Sequence, residues 1–153
     1  MAQARAEYEQ LHDLPAADPD EREQYYRSHI EGSQTLRTLK AAMDEWCAIW
    51  FWPTDEKSLC HVPTPLTFHK PSPETAAIVA RLAMDMKFFH WEMEFPDVFT
   101  AERTGFDAMI GNPPYVRQEM LGEFKEYLQK HYKVYHGIAD LYAYFIERGI
   151  TLL

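Results

Sequence analysis

Asn112-Pro113-Pro114-Tyr115, inside the run FDAMIGNPPYVRQE at residues 106–119, is the stretch whose residue types could do chemistry. Adjacent prolines can neither extend a sheet ladder nor sit inside a helix, because each lacks an N–H and holds φ at about −65°. They fix a stiff, open backbone between a small amide and an aromatic ring. The Asn112 side chain offers one carbonyl acceptor and two donors. The backbone carbonyl before or within the proline pair stays out of any regular ladder. Two acceptors aimed at one exocyclic amino group would hold it and favour its pyramidal form, freeing a lone pair otherwise delocalised into the ring. Tyr115 offers a flat face for a heteroaromatic base, and such stacking is worth roughly 1–3 kcal/mol. The pattern suits alkylation of a nucleobase amine without a strong general base. The plainer alternative is a strand-terminating turn.

Such a site needs elements to position it. Phe106-Asp107-Ala108-Met109-Ile110 reads as a short buried strand ending at Gly111. In open α/β sheets, ligands bind just beyond the carboxyl ends of strands. Val116 to about His131 reads as helix, with Met120, Phe124, Tyr127 and Leu128 inward. A last helix begins near Ile138, with Ile138, Leu141, Tyr142, Phe145 and Gly149 on one face. Asp140 in its first turn complements the helix dipole. The chain stops at Thr151-Leu152-Leu153 without a cap or turn residue, which reads as a cut. Upstream, Phe88-Phe89-His90-Trp91 and Phe95-Pro96-Asp97-Val98-Phe99 suit extended structure. His90 and Trp91 are expected to pack beside the strand.

The first half reads as helices. Asp18-Pro19-Asp20-Glu21 is a helix start, with a capping carboxylate, Pro in the first turn and Glu at the capping-box position. That helix runs to about Ile30, with Gly32 as a break. Leu36, Leu39, Met43, Trp46 and Trp50 form one stripe of a second helix ended by Pro53. A partner-helix seam is one reading of this stripe; core packing is preferred because the stripe is short. Five prolines between 53 and 73 make a long irregular connection. Ser72-Pro73-Glu74 starts a third helix with Val79, Leu82, Ala83 and Met86 on its apolar face. A division into residues 1–72 and 73–153 follows.

Composition bounds the partners. The 153 residues carry a formal net charge of −9. Phosphate backbones are gripped by Lys and Arg, so any DNA-binding surface is expected on other regions of a larger molecule. Cys47 and Cys60 show no paired spacing, which argues against a disulfide scaffold. Cys60, His61 and His69 match no zinc pattern, so no metal is expected. The longest apolar run, WCAIWFW at 46–52, is far short of a membrane span, and MAQARAEYEQ has no signal-peptide core. No membrane partner and a cytoplasmic location are the expectation.

Asn112-Pro113-Pro114-Tyr115 after FDAMIG resembles the catalytic motif of amino-methyltransferases, especially DNA adenine-N6 methyltransferases. FFHWEMEFPDVF (88–99), GFDAMIGNPPYVRQE (105–119) and GIADLYAYFIERGITLL (137–153), in that order, resemble the bifunctional restriction–modification methylases of the Eco57I type, relatives of which occur in phage defence. The likeness covers about residues 88–153. Residues 1–87 only weakly resemble the helical insertion such proteins carry before the motif.

The resemblance implies a mostly helical α/β fragment of a class I, Rossmann-like, S-adenosylmethionine-dependent methyltransferase. It implies that Asn112 and the Pro113 carbonyl hold the adenine N6 amine, that Tyr115 stacks on the base, and that Pro114 fixes the loop. Asp140 would border the substrate site, and Asn112 would also meet the cofactor. The glycine-rich cofactor loop is missing: none of the six glycines stands in a G-x-G arrangement. Weak or no cofactor binding by this chain alone is therefore expected, with the remaining methyltransferase and target-recognition regions as partners. Exposed strand edges make a dimer of the fragment a further expectation. Two rivals remain. One is an amino-methyltransferase for ribosomal RNA or protein glutamine, without the FFHWEMEFPDVF lead-in. The other is a non-catalytic helical interaction module.

Overall fold

A computed structural model describes residues 2–15, 17–100, 102 and 104–153. They form two compact units, Met1–Asp97 and Val98–Leu153.

The first unit is helical. It contains α1 (Ala2–Asp13), α2 (Pro19–Tyr25) with a π-helical continuation (Tyr26–Glu31), and α3 (Gln34–Ala48) with a 3₁₀ turn (Ile49–Phe51). The short α4 (Glu56–Leu59), α5 (Pro73–Met86) and the single turn α6 (Trp91–Glu94) complete it. The helix starts obey local chemistry. Asp18 accepts from the Glu21 N–H, Ser33 from Leu36 and Ser72 from Thr75, each satisfying a donor with no partner inside its own helix. Two apolar clusters hold the unit. Tyr8, Ile30, Leu36 and Met93 pack with Leu11, Tyr26 and Met43; Ala48, Val79 and Leu82 pack with Phe51, Trp52, Ile78 and Phe88. The Pro-rich connection is tied down at Thr75, whose hydroxyl donates to the His61 carbonyl over 2.9 Å.

The second unit contains a 3₁₀ segment (Gln118–Phe124), α7 (Lys125–His131) and α8 (Leu141–Thr151). Leu121, Leu128 and Tyr144 are its buried centre, flanked among others by Val116, Phe124, Tyr127 and Tyr132. The Glu147 carboxylate accepts from the Lys133 and Val134 N–H groups at 2.9 and 2.8 Å, pinning the loop after α7 to α8.

Four expectations are corrected here. Phe106–Ile110 is not a strand. Among the described residues the only pairing is an isolated antiparallel bridge between Phe99 and Thr104. A strand needs a neighbour for its N–H and C=O groups, and among the described residues none pairs with this segment as a strand. It leans on α8 instead: the Phe106 N–H donates to the Leu152 carbonyl at 2.8 Å, and Ile110 is 95% exposed. Of the two stretches expected to be extended, 88–91 runs into α6 at Trp91 and 95–99 holds a turn at 96–98, and His90 packs beside α3 rather than beside a strand. Trp46 is 60% exposed and Trp50 is also exposed, so the stripe on α3 enters the core only through its first half. Met120 is exposed; α8 starts at Leu141, so Ile138 precedes it and is exposed, and on α8 the buried ring is Tyr144 while Tyr142 and Phe145 face outward. The mostly helical character stands as expected.

Gly105 has a steric reason to be glycine. A Cβ there would lie 2.5 Å from the Leu152 carbonyl oxygen and 2.7 Å from the Leu153 backbone. Gly105→Ala is expected to destabilise the second unit by about 1–3 kcal/mol, the usual cost of overpacking. Gly122→Ala, where a Cβ meets nothing within 4 Å, is the control and should be neutral. Thermal melts of the two variants check this; equal melting temperatures would contradict the docking of residue 105 on the end of α8.

Candidate functional site

The site begins with the backbone the two prolines impose. Residues 108–117 form no regular element. The Val116 N–H donates to the Pro114 carbonyl over 3.1 Å, a three-residue turn centred on Tyr115. Tyr115 has no positive φ, so this is the inverse γ form common at loop starts. The turn throws the ring outward, leaving Tyr115 85% exposed. Asn112 and Pro114 are exposed and Pro113 is half-buried. Among the described residues, neither the Asn112 amide nor the Pro113 carbonyl is engaged in a hydrogen bond, so both keep their acceptor capacity.

Just beyond the turn the chain is fastened to the start of α8. The Leu141 N–H donates to the Val116 carbonyl at 2.9 Å. The Gln118 N–H donates to the Asp140 carboxylate at 3.2 Å. The rings of Tyr115 and Tyr142 lie 6.5 Å apart at 48°, within the range of tilted aromatic pairs. Asp140 stands at the cap position of α8, and its backbone carbonyl accepts from the Ala143 N–H, but its side chain bonds no N–H of that helix; its carboxylate reaches across 22 residues to accept from Gln118. Asn112, Pro113, Pro114, Tyr115 and Asp140 thus belong to one stretch of the second unit: a loop and the helix start it is fastened to. Gln118 and Tyr142 join them without having been singled out for this place. The signal for Gln118 was its position directly after the motif. Tyr142, in the segment Asp140-Leu141-Tyr142 at the start of the last helix, reads from its spacing as part of an apolar face; helical spacing does not say which face of α8 is open.

A second polar cluster lies in the first unit. His90 is buried, and its Nε2 lies 2.7 Å from the Asp44 carboxylate. The Lys40 Nζ approaches the same carboxylate at 2.7 and 3.0 Å. The hydrogen bond to Asp44, followed by one to Cys47, outweighs burial and raises the His90 imidazole to about 9. For Asp44, burial pushes the carboxyl up, yet the hydrogen bonds from His90 and Lys40 together leave it below the ordinary carboxylate value. Charges so paired inside a helical core are a structural ion cluster. Among the described residues no three His, Cys, Asp or Glu side chains group as metal ligands, and no helix is long and apolar enough to cross a membrane.

A family model described as the Eco57I restriction-modification methylase matches residues 45–153, more than half of the chain. The chain is 35% identical over 83 residues to the Type II methyltransferase M.BstVI of Geobacillus stearothermophilus, a stretch covering 53% of this chain and 14% of that protein. It is 44% identical over 50 residues to the Type II methyltransferase M.PaeR7I of Pseudomonas aeruginosa, covering 31% of this chain and 8% of that protein. The matched stretches are thus a small part of either relative's length. No solved structure matches the chain.

Proposed function

The chain belongs to the Eco57I restriction-modification methylase family, and from that premise we propose that it is part of a DNA methyltransferase that methylates the N6 amine of adenine in a restriction–modification or phage-defence system. The methyl donor is S-adenosylmethionine. The observation that carries the reading is the loop at 112–115. It carries an exposed amide and an exposed aromatic face with a carbonyl between them, and neither acceptor is consumed by the fold among the described residues. Enzymes that modify a base take it out of the duplex stack. Asn112 and the Pro113 carbonyl accept from its amine, Tyr115 stacks on the ring, and Pro114 holds the backbone of the loop. Asp140, at the start of α8, borders the bound base.

The residues described here do not fit the whole cofactor. No glycine has a positive φ; a Cβ added at Gly111, Gly122 or Gly137 would meet nothing within 4 Å, and at Gly32 and Gly105 it would meet the chain's own backbone, so among the described residues no glycine makes room for a ligand. The proposal assigns to this chain the holding of the amine and base, with Asn112 at the edge toward the donor. Residues 73–153 are the partial catalytic domain and 1–72 a helical region with its Pro-rich connection. The donor cradle and the reading of the DNA sequence fall to other regions of the enzyme.

Product analysis tests the reading. The complete enzyme is incubated with unmethylated duplex DNA and isotope-labelled S-adenosylmethionine, and the DNA is digested to nucleosides for mass spectrometry. Labelled N6-methyladenine is expected. Label in cytosine with none in adenine would overturn the substrate assignment, as would transfer to ribosomal RNA or to a protein glutamine in parallel reactions while DNA accepts none. No transfer to any acceptor would favour the interaction-module reading.

A further inference from the structure

We propose that the start of α8 is a clamp that sets the direction of the Tyr115 ring, with Asp140 as a positioning residue acting through the main chain of Gln118. The inference rests on the reading of Tyr115 as the base-stacking ring.

An exposed tyrosine is a poor platform unless something fixes it, because a stacking face must be held close to its working geometry before the base arrives. Tyr115 has little packing of its own, being 85% exposed. Its direction is set by the backbone on either side. On one side that backbone is the stiff proline pair. On the other it is residues 116–118, which two hydrogen bonds tie to residues 140–141: Leu141 N–H to Val116 O at 2.9 Å, and Gln118 N–H to the Asp140 carboxylate at 3.2 Å. The second has a charged acceptor and is the stronger kind. Two features single out Asp140. The side chain of a cap-position Asp ordinarily accepts from an N–H of its own helix, and this one does not; its carboxylate serves the loop instead. One residue further on, the Tyr142 ring lies 6.5 Å from Tyr115, so the same helix start also limits where that ring can swing.

A mutant cycle in the complete enzyme tests the clamp. Steady-state kcat and KM on duplex DNA carrying the target sequence are measured for Asp140→Ala, Asp140→Asn, Tyr115→Ala and the double variant Asp140→Ala/Tyr115→Ala. Asp140→Ala is expected to lower kcat/KM by roughly tenfold, as for loss of a charged hydrogen bond, and by no more than Tyr115→Ala does. Asp140→Asn keeps a carbonyl acceptor and should recover most of the loss. In the Tyr115→Ala background, removing Asp140 should cost less than about twofold, because coupled residues are non-additive. A merely structural role would lower both backgrounds alike. A tenfold loss in both backgrounds, an Asn variant as poor as Ala, or no loss at all in Asp140→Ala would each overturn the clamp and leave base stacking on Tyr115 standing. A Tyr115→Ala enzyme as active as the wild type would overturn the stacking reading, and the clamp with it. Should Asp140→Ala fail to fold, Asp140→Ser, whose hydroxyl suits the cap position of α8, takes its place in the cycle.

Discussion

Asn112→Ala in the complete enzyme is expected to lower single-turnover methyl transfer by about 10²–10³-fold, with a small change in KM for DNA. The magnitude is that of losing a preorganised group aimed at charge that develops only in the transition state. The Asn112 amide takes part in no hydrogen bond among the described residues, so its removal costs the fold little. As the adenine amine becomes pyramidal and partly positive, an acceptor aimed at it binds more strongly than in the ground state. An interaction of that kind raises kcat rather than ground-state affinity. Tyr115→Ala removes a stacking face worth roughly 1–3 kcal/mol and ranks second; Tyr115→Phe keeps the face and ranks mildest. Rapid-quench transfer to target-site DNA, with melting temperatures as a folding control, measures the order. An Asn112→Ala enzyme with near-normal turnover would remove residues 112–115 from the chemistry.

What was legible in the chain beforehand follows the range of the forces involved. Helix starts at Asp18-Pro19 and Ser72-Pro73 could be read because a cap is a contact between residues three apart. The loop at 112–115 could be read because two prolines are a covalent constraint that no tertiary context removes. The strand at 106–110 could not be judged alone: apolar residues in a row state only that a segment suits burial, and a strand exists when a partner lies beside it. Nor did the stripe on α3 reveal that Leu36 would be buried and Trp46 exposed, since the depth of a helix face depends on what covers it. The Asp140–Gln118 bond spans 22 residues and the His90–Asp44 bond spans 46. An acidic residue opening a helix was visible in advance, but the donor it serves was not.

The His90–Asp44 pair carries the second large expectation. Asp44→Ala is expected to destabilise the chain by about 3–5 kcal/mol, the usual result of removing one partner from a buried ion pair. The remaining imidazole is 6% exposed, and Lys40 loses the carboxylate it approaches at 2.7 Å. The pH dependence identifies the charge state. His90, held up first by its hydrogen bond to Asp44, titrates at about 9 in the folded chain, against about 6.5 for an unperturbed imidazole. A raised pKa gives stability that is complete below the unfolded value and is lost as pH rises through the folded one. Asp44 shifts the other way: its hydrogen bonds outweigh the larger single effect of burial and leave it below the ordinary value of 3.8, so its contribution is lost only on acidification. The pair is therefore strongest between about pH 4 and 6.5 and weakens toward pH 9. In Asp44→Ala the histidine loses the largest influence that holds its proton. The gap in unfolding free energy between wild type and variant should be widest near pH 6 and narrow steadily up to pH 9. Urea unfolding at half-unit pH steps gives that gap directly. A gap that stays constant from pH 6 to 9 would mean that Asp44 meets a neutral ring and that Lys40 alone balances its charge.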